Sequence, residues 1–235
     1  MSADEELADA FGDRAVRAWP GVVSVEAAAQ GWAREGGADG AVVVVGYQAA
    51  PRGRAGRPWS IDVDADLVFS VIVRPELSAD DEGWLYTLAT VALSDVTGSR
   101  IRWPDEAVGD DATTIGAVSV YAELGPGRVD WAVVTVLVKA PGDRASTARR
   151  WLRSFDARRS SATDAVVDVH RDRSDTIGRR VAARMMPLGP AGPVITGNAV
   201  DVAADGALVI ETDRASRVAV RPQNLGLLDV IDEEG

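Results

Sequence analysis

The sequence predicts an α+β fold, a domain of mixed helices and strands followed by a small β-barrel, and three stretches carry that expectation. Ala41-Val42-Val43-Val44-Val45 is an unbroken, mostly β-branched run, the pattern of a strand buried on both faces. Residues 83–97 have the length and apolar spacing of a buried helix. From Thr176 the texture changes to short strands and turns, as in a small barrel. With 235 residues, 46% of them hydrophobic, the chain suits one large and one small domain, expected at 1–175 and 176–235.

In chain order, residues 4–18 read as an amphipathic helix that Trp19-Pro20-Gly21 ends with a turn signal. Val22, Val23 and Val25 read as a short strand, and the alanine-rich segment 26–34 as a helix stopped by Gly36-Gly37. The buried strand at 41–45 leads into an arginine- and glycine-rich loop over 49–59, then a strand over 67–73 and the helix at 83–97. Residues 100–103 form a strand entering a turn at Pro104. Segments 117–124 and 131–138 make a hairpin around Gly125-Pro126-Gly127. Residues 146–158 form a second amphipathic helix, while 165–171 fit no single element type. Short strands follow at 179–184, 194–201, 207–211 and 217–220, with Asp205-Gly206 as a hairpin signal.

The formal charge of -11 repels phosphate backbones and anionic lipid, which disfavours nucleic-acid and membrane partners. No cysteine is present, so disulfides, thiolate metal sites and a cysteine nucleophile are excluded. The one histidine, His170, rules out multi-histidine metal sites and is expected at the surface of a linker. Residues 1–10 are acidic rather than basic and apolar, and no apolar run reaches the length of a membrane span, so a cytoplasmic protein is expected. Six tryptophans, Trp32, Trp59, Trp84, Trp103, Trp131 and Trp151, lie in apolar contexts and are expected in the core. Lys139 is the only lysine among 25 basic residues, a bias that follows nucleotide composition and says nothing of function.

Chemistry concentrates in Gln48-Ala49-Ala50-Pro51-Arg52-Gly53-Arg54-Ala55-Gly56-Arg57-Pro58-Trp59. Glycines let the backbone turn tightly against a ligand, and guanidinium groups offer paired donors to phosphate or carboxylate. The residues alone admit two readings, an anion-binding loop whose arginines converge on one ligand and a solvated loop that binds nothing.

The order Tyr47-Gln48, then Arg52-Gly53-Arg54-Ala55-Gly56-Arg57-Pro58-Trp59, then a strand, resembles the nucleotide-binding loop of biotin protein ligases. In register with it, Asp66-Leu67-Val68-Phe69-Ser70 resembles that family's Asn-Leu-Tyr-Leu-Ser strand, and Arg102-Trp103-Pro104-Asp105-Glu106 resembles its Lys-Trp-Pro-Asn-Asp motif, with Gly116 at the glycine that follows. From Thr176-Ile177-Gly178 to Asp205-Gly206-Ala207-Leu208 the chain is similar to the family's SH3-like C-terminal domain. The resemblance implies a mixed sheet flanked by helices plus an SH3-like barrel. It also implies ATP with Mg²⁺ and biotin as ligands, biotinyl-adenylate as intermediate, and a lysine of a biotin carrier protein of the acyl-CoA carboxylase type as acceptor. Lipoate relatives share the fold, and members often dimerise through the central sheet. The bifunctional repressor version of the family, with a winged helix ahead of the matched region, is not implied. Carried onto this chain, the ligand positions are Gln48, Arg52, Gly53, Arg54, Arg57, Trp59, Arg102 and Glu106.

The chain departs from the family at three places. The essential lysine lies seven residues after the motif's last acid and three before the glycine, and both counts reach Thr113. Losing a preorganised cation of that kind costs about 3–4 kcal/mol of transition-state stabilisation. The glycine-bearing strand that admits biotin becomes Thr135-Val136-Leu137-Val138-Lys139, and Ser24-Val25-Glu26 stands where Ser-Thr-Asn holds the ureido ring. Lys139 is either a substitute cation or a strand-end lysine in solvent. The preferred reading is a diverged, catalytically impaired ligase-like protein that binds a nucleotide, an acyl-adenylate-type ligand or a carrier protein as an accessory subunit. The alternatives are an active ligase for biotin, lipoate or another acid, and a purely structural loop.

Overall fold

The computed structural model describes residues 11–186 and 192–231, together with Leu7. Two sheets organise it. The larger has seven strands: β1 (Val16–Trp19), β2 (Val42–Val45), β3 (Leu67–Val73), β4 (Arg100–Arg102), β5 (Glu106–Val108), β6 (Thr114–Gly125) and β7 (Arg128–Val138), in the spatial order β1-β2-β3-β7-β6-β5-β4. Only β1 and β2 run parallel, joined across α1 (Val25–Arg34), and every other neighbouring pair is antiparallel, so the sheet is mixed.

Alternation along the strands divides the core. Phe69 and Val71 of β3 with Val134 and Val136 of β7 face α2 (Trp84–Thr97), α3 (Arg144–Arg159) and α4 (Thr163–Asp172) in one cluster that includes Trp151 and Phe155. Val68, Ile72, Val133 and Leu137 face the other way, against Val25, Ala29 and Ala33 of α1. Those three residues recur at helical spacing, so one stripe of a short helix covers that face. The α1 face is the more thinly covered side, and the arginine loop lies over it.

The smaller sheet is antiparallel throughout, in the order β11-β10-β9-β8-β12: β8 (Arg180–Met185), β9 (Val194–Val202), β10 (Leu208–Thr212), β11 (Arg217–Val220) and β12 (Leu225–Val230). It matches the SH3-like unit expected at the end of the chain. Its apolar cluster contains Trp103, which comes from the turn between β4 and β5 and donates its indole N–H to the carbonyl of Gly206 at 2.9 Å. Gly83 and Gly206 also meet closely enough that a Cβ on either would overlap the facing backbone, so the start of α2 sits directly on the turn between β9 and β10.

Several sequence expectations need correction. Of the helix expected at 4–18, residues 4–6 and 8–10 lie outside the described residues, and its end is β1, because the valine run of β2 takes a parallel partner there. Val25 opens α1 instead of extending a strand, with only Val22 bridging to Gln48. Residues 163–172 resolve as helix α4, and its His170 is fully buried rather than exposed in a linker. That burial, with Arg171 beside it, lowers the His170 pKa to about 4, so the imidazole is neutral at pH 7. Trp84, Trp103, Trp131 and Trp151 are buried, whereas Trp32 and Trp59 are half-buried. No helix among the described residues is long and apolar enough to cross a membrane.

Because Trp103 is an anchor in the second sheet's core, Trp103→Ala should lower unfolding stability by about 3–5 kcal/mol. Urea denaturation measures this, and a loss below about 1 kcal/mol would contradict the anchoring role.

Candidate ligand groove at the arginine loop

The loop after β2 is folded on itself. Gly53 donates to the carbonyl of Arg57 at 2.8 Å, and Trp59 donates its backbone N–H to Pro51 at 3.1 Å. The Trp59 indole lies over Gly53, where a Cβ would overlap the ring nitrogen, so this position requires glycine. Residues Arg54–Gly56 make one 3₁₀ turn, with Ala55 left-handed at φ 53°.

This folding separates the three arginines expected to converge on one anion. Arg52 is exposed and donates to the carbonyl of Gly56 at 3.1 Å. Arg54 turns inward, is 4% exposed, donates to the carbonyl of Leu225 in β12, and pairs with Asp105 at 3.2 Å. Arg57 stays exposed and forms no ion pair or side-chain hydrogen bond among the described residues, so its donors remain open. The physical cause of the divergence is Asp105, a fully buried carboxylate that takes the nearest guanidinium.

Arg57 overhangs a groove made of two joined cavities of about 300 and 190 Å³, both lined by Arg54, Arg57, Asp105, Glu106 and Thr114. One arm runs toward Arg102 and Leu228, and the other toward Trp59, Leu137 and Lys139. Arg102 pairs with Asp175 at 3.2 Å and with Glu106 at 3.6 Å. Burial raises the Glu106 pKa, and the adjacent Asp105 charge adds to it against Arg102 and Arg57. Burial likewise raises that of Asp105 in spite of Arg54.

Three of the sequence-chosen residues do other things. Gln48 accepts the N–H of Val25 at 2.9 Å and so caps α1. Thr113 is exposed in a turn and donates to Asp111 at 2.6 Å, while its neighbour Thr114 lines the groove and bonds Glu106 at 3.4 Å. Lys139 is not loose in solvent. Its ammonium donates to Asp66 at 2.8 Å and to the carbonyl of Ser60. Burial raises the Asp66 carboxyl, but Lys139 and the N–H groups of Asp62 and Ala140 outweigh it and hold its pKa below 3.8. No cluster of three metal-ligating side chains occurs among the described residues.

No family model matches the chain. A biotin–acetyl-CoA-carboxylase ligase of Mycobacterium tuberculosis is 30% identical to it over 74% of this chain and 74% of the relative. The chain belongs to the biotin protein ligase family. Solved structures agree in fold: the biotin protein ligase of Aquifex aeolicus in complex with biotin and ATP superposes with a TM-score of 0.69 at 18% identity, covering 92% of this chain and 99% of that one. A biotin protein ligase-like protein of unknown function from Silicibacter gives 0.65 at 14% identity, covering 89% and 95%.

In this ligase-family chain the α1 face of the sheet carries a row of hydroxyls, of which Ser70 and Thr135 lie in stretches the sequence comparison already marked, while Ser119 was not singled out. Ser70, Thr135 and Ser119 form a row across β3, β7 and β6, with Ser70 and Thr135 bonded at 2.7 Å. Ser119 donates at 2.9 Å to Glu26 of α1, which also accepts from Gln30 at 3.1 Å. Burial raises the Glu26 pKa, and those two hydrogen bonds only partly offset it. The sequence signals for this arrangement were Glu26, where the resemblance implies a neutral amide, and Thr135, where it implies a glycine; Ser119 gave none.

Two outcomes follow. Arg54→Ala should destabilise the fold by about 3–5 kcal/mol, since it leaves Asp105 buried and unpaired. A variant as stable as the parent would refute that assignment. For Glu26, a raised carboxyl pKa means the folded state holds more protons than the unfolded one, so stability falls as pH rises from 4.5 through the folded value. Glu26→Gln should therefore lose less stability than the parent between pH 5 and pH 8, and identical melting-temperature profiles would contradict the burial argument.

Proposed function

We propose that this chain is a diverged member of its family that binds an adenine nucleotide, or an acyl-adenylate-type anion, in the groove beneath Arg57, and that it biotinylates poorly or not at all. Its role is then that of an accessory subunit meeting a carrier protein of the acyl-CoA carboxylase type. The division of labour follows the two sheets, with residues 1–175 holding the groove and residues 176–235 bracing it. The observation that carries the reading is the contrast between the two sides of the site. Open guanidinium donors face the groove at Arg57, with Arg102 at its far arm, and suit phosphate. The α1 side, by contrast, is filled by the Glu26–Ser119 and Ser70–Thr135 pairs, with Leu137 as the wall. A ureido ring there would have to displace a hydrogen-bonded carboxylate. Thr113 adds to this, because a neutral hydroxyl tied to Asp111 supplies no cation to reacting oxygens.

Glu106 is the carboxylate available to a Mg²⁺ that arrives with the nucleotide, its contacts with Arg102 and Thr114 being long, at 3.6 and 3.4 Å. For a homodimer through the central sheet, β1 is the edge left open among the described residues, since β4 at the other edge is bridged to Ser174 through Ile101. The second reading, an active ligase, is favoured by the named activity of the Mycobacterium tuberculosis relative.

ATP titrated calorimetrically into the protein should bind, and Arg57→Ala should weaken it roughly ten- to hundredfold, the effect of one charge-assisted contact. Incubation with biotin, ATP, Mg²⁺ and a biotin carrier domain should leave the carrier unmodified. Turnover near the usual enzyme median of about 10 s⁻¹ would overturn the impaired reading and install the active one.

A further inference from the structure

Lys139 is the single lysine in a chain with 25 basic residues, so at 24 positions a cation is arginine and at one it is an amine. That one amine directly follows β7 and lines the groove, in the arm that also holds Arg57, Trp59, Glu106 and Thr114. Its side chain is 34% exposed, whereas its partner Asp66 is 3% exposed and accepts from two backbone N–H groups besides. Asp66 is thus fixed by the loop it closes, and it fixes Lys139 in turn. An ammonium has three donors. Two are spent, on Asp66 and on the Ser60 carbonyl, and both partners lie on the segment between the arginine loop and β3. The third donor is left for whatever enters the groove. Arginine could not be substituted at the same place without changing this: its planar fork would spread over Asp66, while the compact ammonium bonds two fixed oxygens and keeps one donor free.

We propose that Lys139 is a ligand-contacting cation, which with Arg57 holds an oxyanion, carboxylate or phosphate, in the groove. This rests on the reading of the groove as an anion site and adds to it the residue that meets the ligand from the β7 side. The two cations differ in kind. Arg57 is unpaired and exposed, suited to capture; Lys139 is pre-oriented by Asp66, so little freedom is lost when the ligand binds. A merely structural Lys139 would close the Asp66 loop equally well and touch no ligand.

The singular lysine makes a direct test available. The unaltered protein is treated with a limiting acetylating reagent at about pH 8, where amines begin to react, and the rate at Lys139 is followed by peptide mass spectrometry. AMP, ATP and biotin are added in separate arms at concentrations shown by calorimetry to saturate. Protection of Lys139 by roughly tenfold or more, with the rate at the chain's α-amino group unchanged, is the expected result. Protection by AMP and ATP alone assigns a phosphate, and protection by biotin alone assigns a carboxylate. If a nucleotide binds and neither it nor biotin slows acetylation of Lys139, the proposal is overturned while the anion-groove reading stands. No binding by any of the three overturns both. Because Lys139→Met strands a buried carboxylate, the variant for affinity is Lys139→Met with Asp66→Asn, which should bind ATP about tenfold more weakly with a cooperative melt retained. Parent-like affinity in that folded variant would also count against the contact.

Discussion

One buried guanidinium sits where three parts of the molecule meet. Arg54 leaves the arginine loop, enters the protein, pairs with Asp105 from the β4–β5 turn and donates to Leu225 in the second sheet. Charges are seldom withdrawn from water unless paired, and removing one partner leaves the other stranded at a cost of several kcal/mol. The loop, the turn and β12 therefore hold one another in place. Trp103, two residues before Asp105, strengthens the same junction from inside the second sheet's core. The groove inherits its walls from this junction, so the C-terminal sheet is part of the site's construction even though it contributes little of the lining.

Electrostatics then sort the arginines. In a chain of net charge -11, carboxylates outnumber cations, and most basic groups near the site are taken: Arg102 by Asp175 and Glu106, Lys139 by Asp66, Arg54 by Asp105. Arg57 lies near Asp105 and Glu106 and feels their charge, but among the described residues it forms no ion pair or side-chain hydrogen bond with them, and Trp59 is seated on Gly53 beneath the loop. A positive spot in an acidic surface draws anions by its local field against the general repulsion. On the α1 face the balance is opposite, since Glu26 brings a carboxylate into a row of hydroxyls and is hydrogen-bonded there to Ser119.

Much of this fold was legible in the residues. The strand at 67–73, the helices at 26–34 and 83–97 and the hairpin around Gly125-Pro126-Gly127 follow from local periodicity and turn chemistry, and each is present within a few residues. Pattern fails where a segment's state is decided by a distant partner. β1 is a strand because β2 needs a neighbour, β5 is three residues long and paired on both sides, and β12 closes the second sheet without an alternating signal. The site shows the same division. That an arginine- and glycine-rich loop follows a buried strand is a local fact, but which arginine keeps open donors at the groove depends on Asp105, fifty-one positions after Arg54, which pairs with Arg54. Glu26 finds Ser119 across 93 positions and Lys139 finds Asp66 across 73, pairings no spacing rule announces. His170 misled for a related reason: a histidine among arginines and aspartates looks exposed until its helix is packed.

The central claim is that the phosphate side of a ligase-type site persists while the acid side has closed. Calorimetric titration of ATP in the absence and in the presence of saturating biotin tests it most directly, because ligands that share an open site alter each other's affinity reciprocally. The account predicts that ATP binds with the same affinity in both titrations, biotin having nowhere to lodge. An ATP affinity that appears or tightens only with biotin present would contradict it.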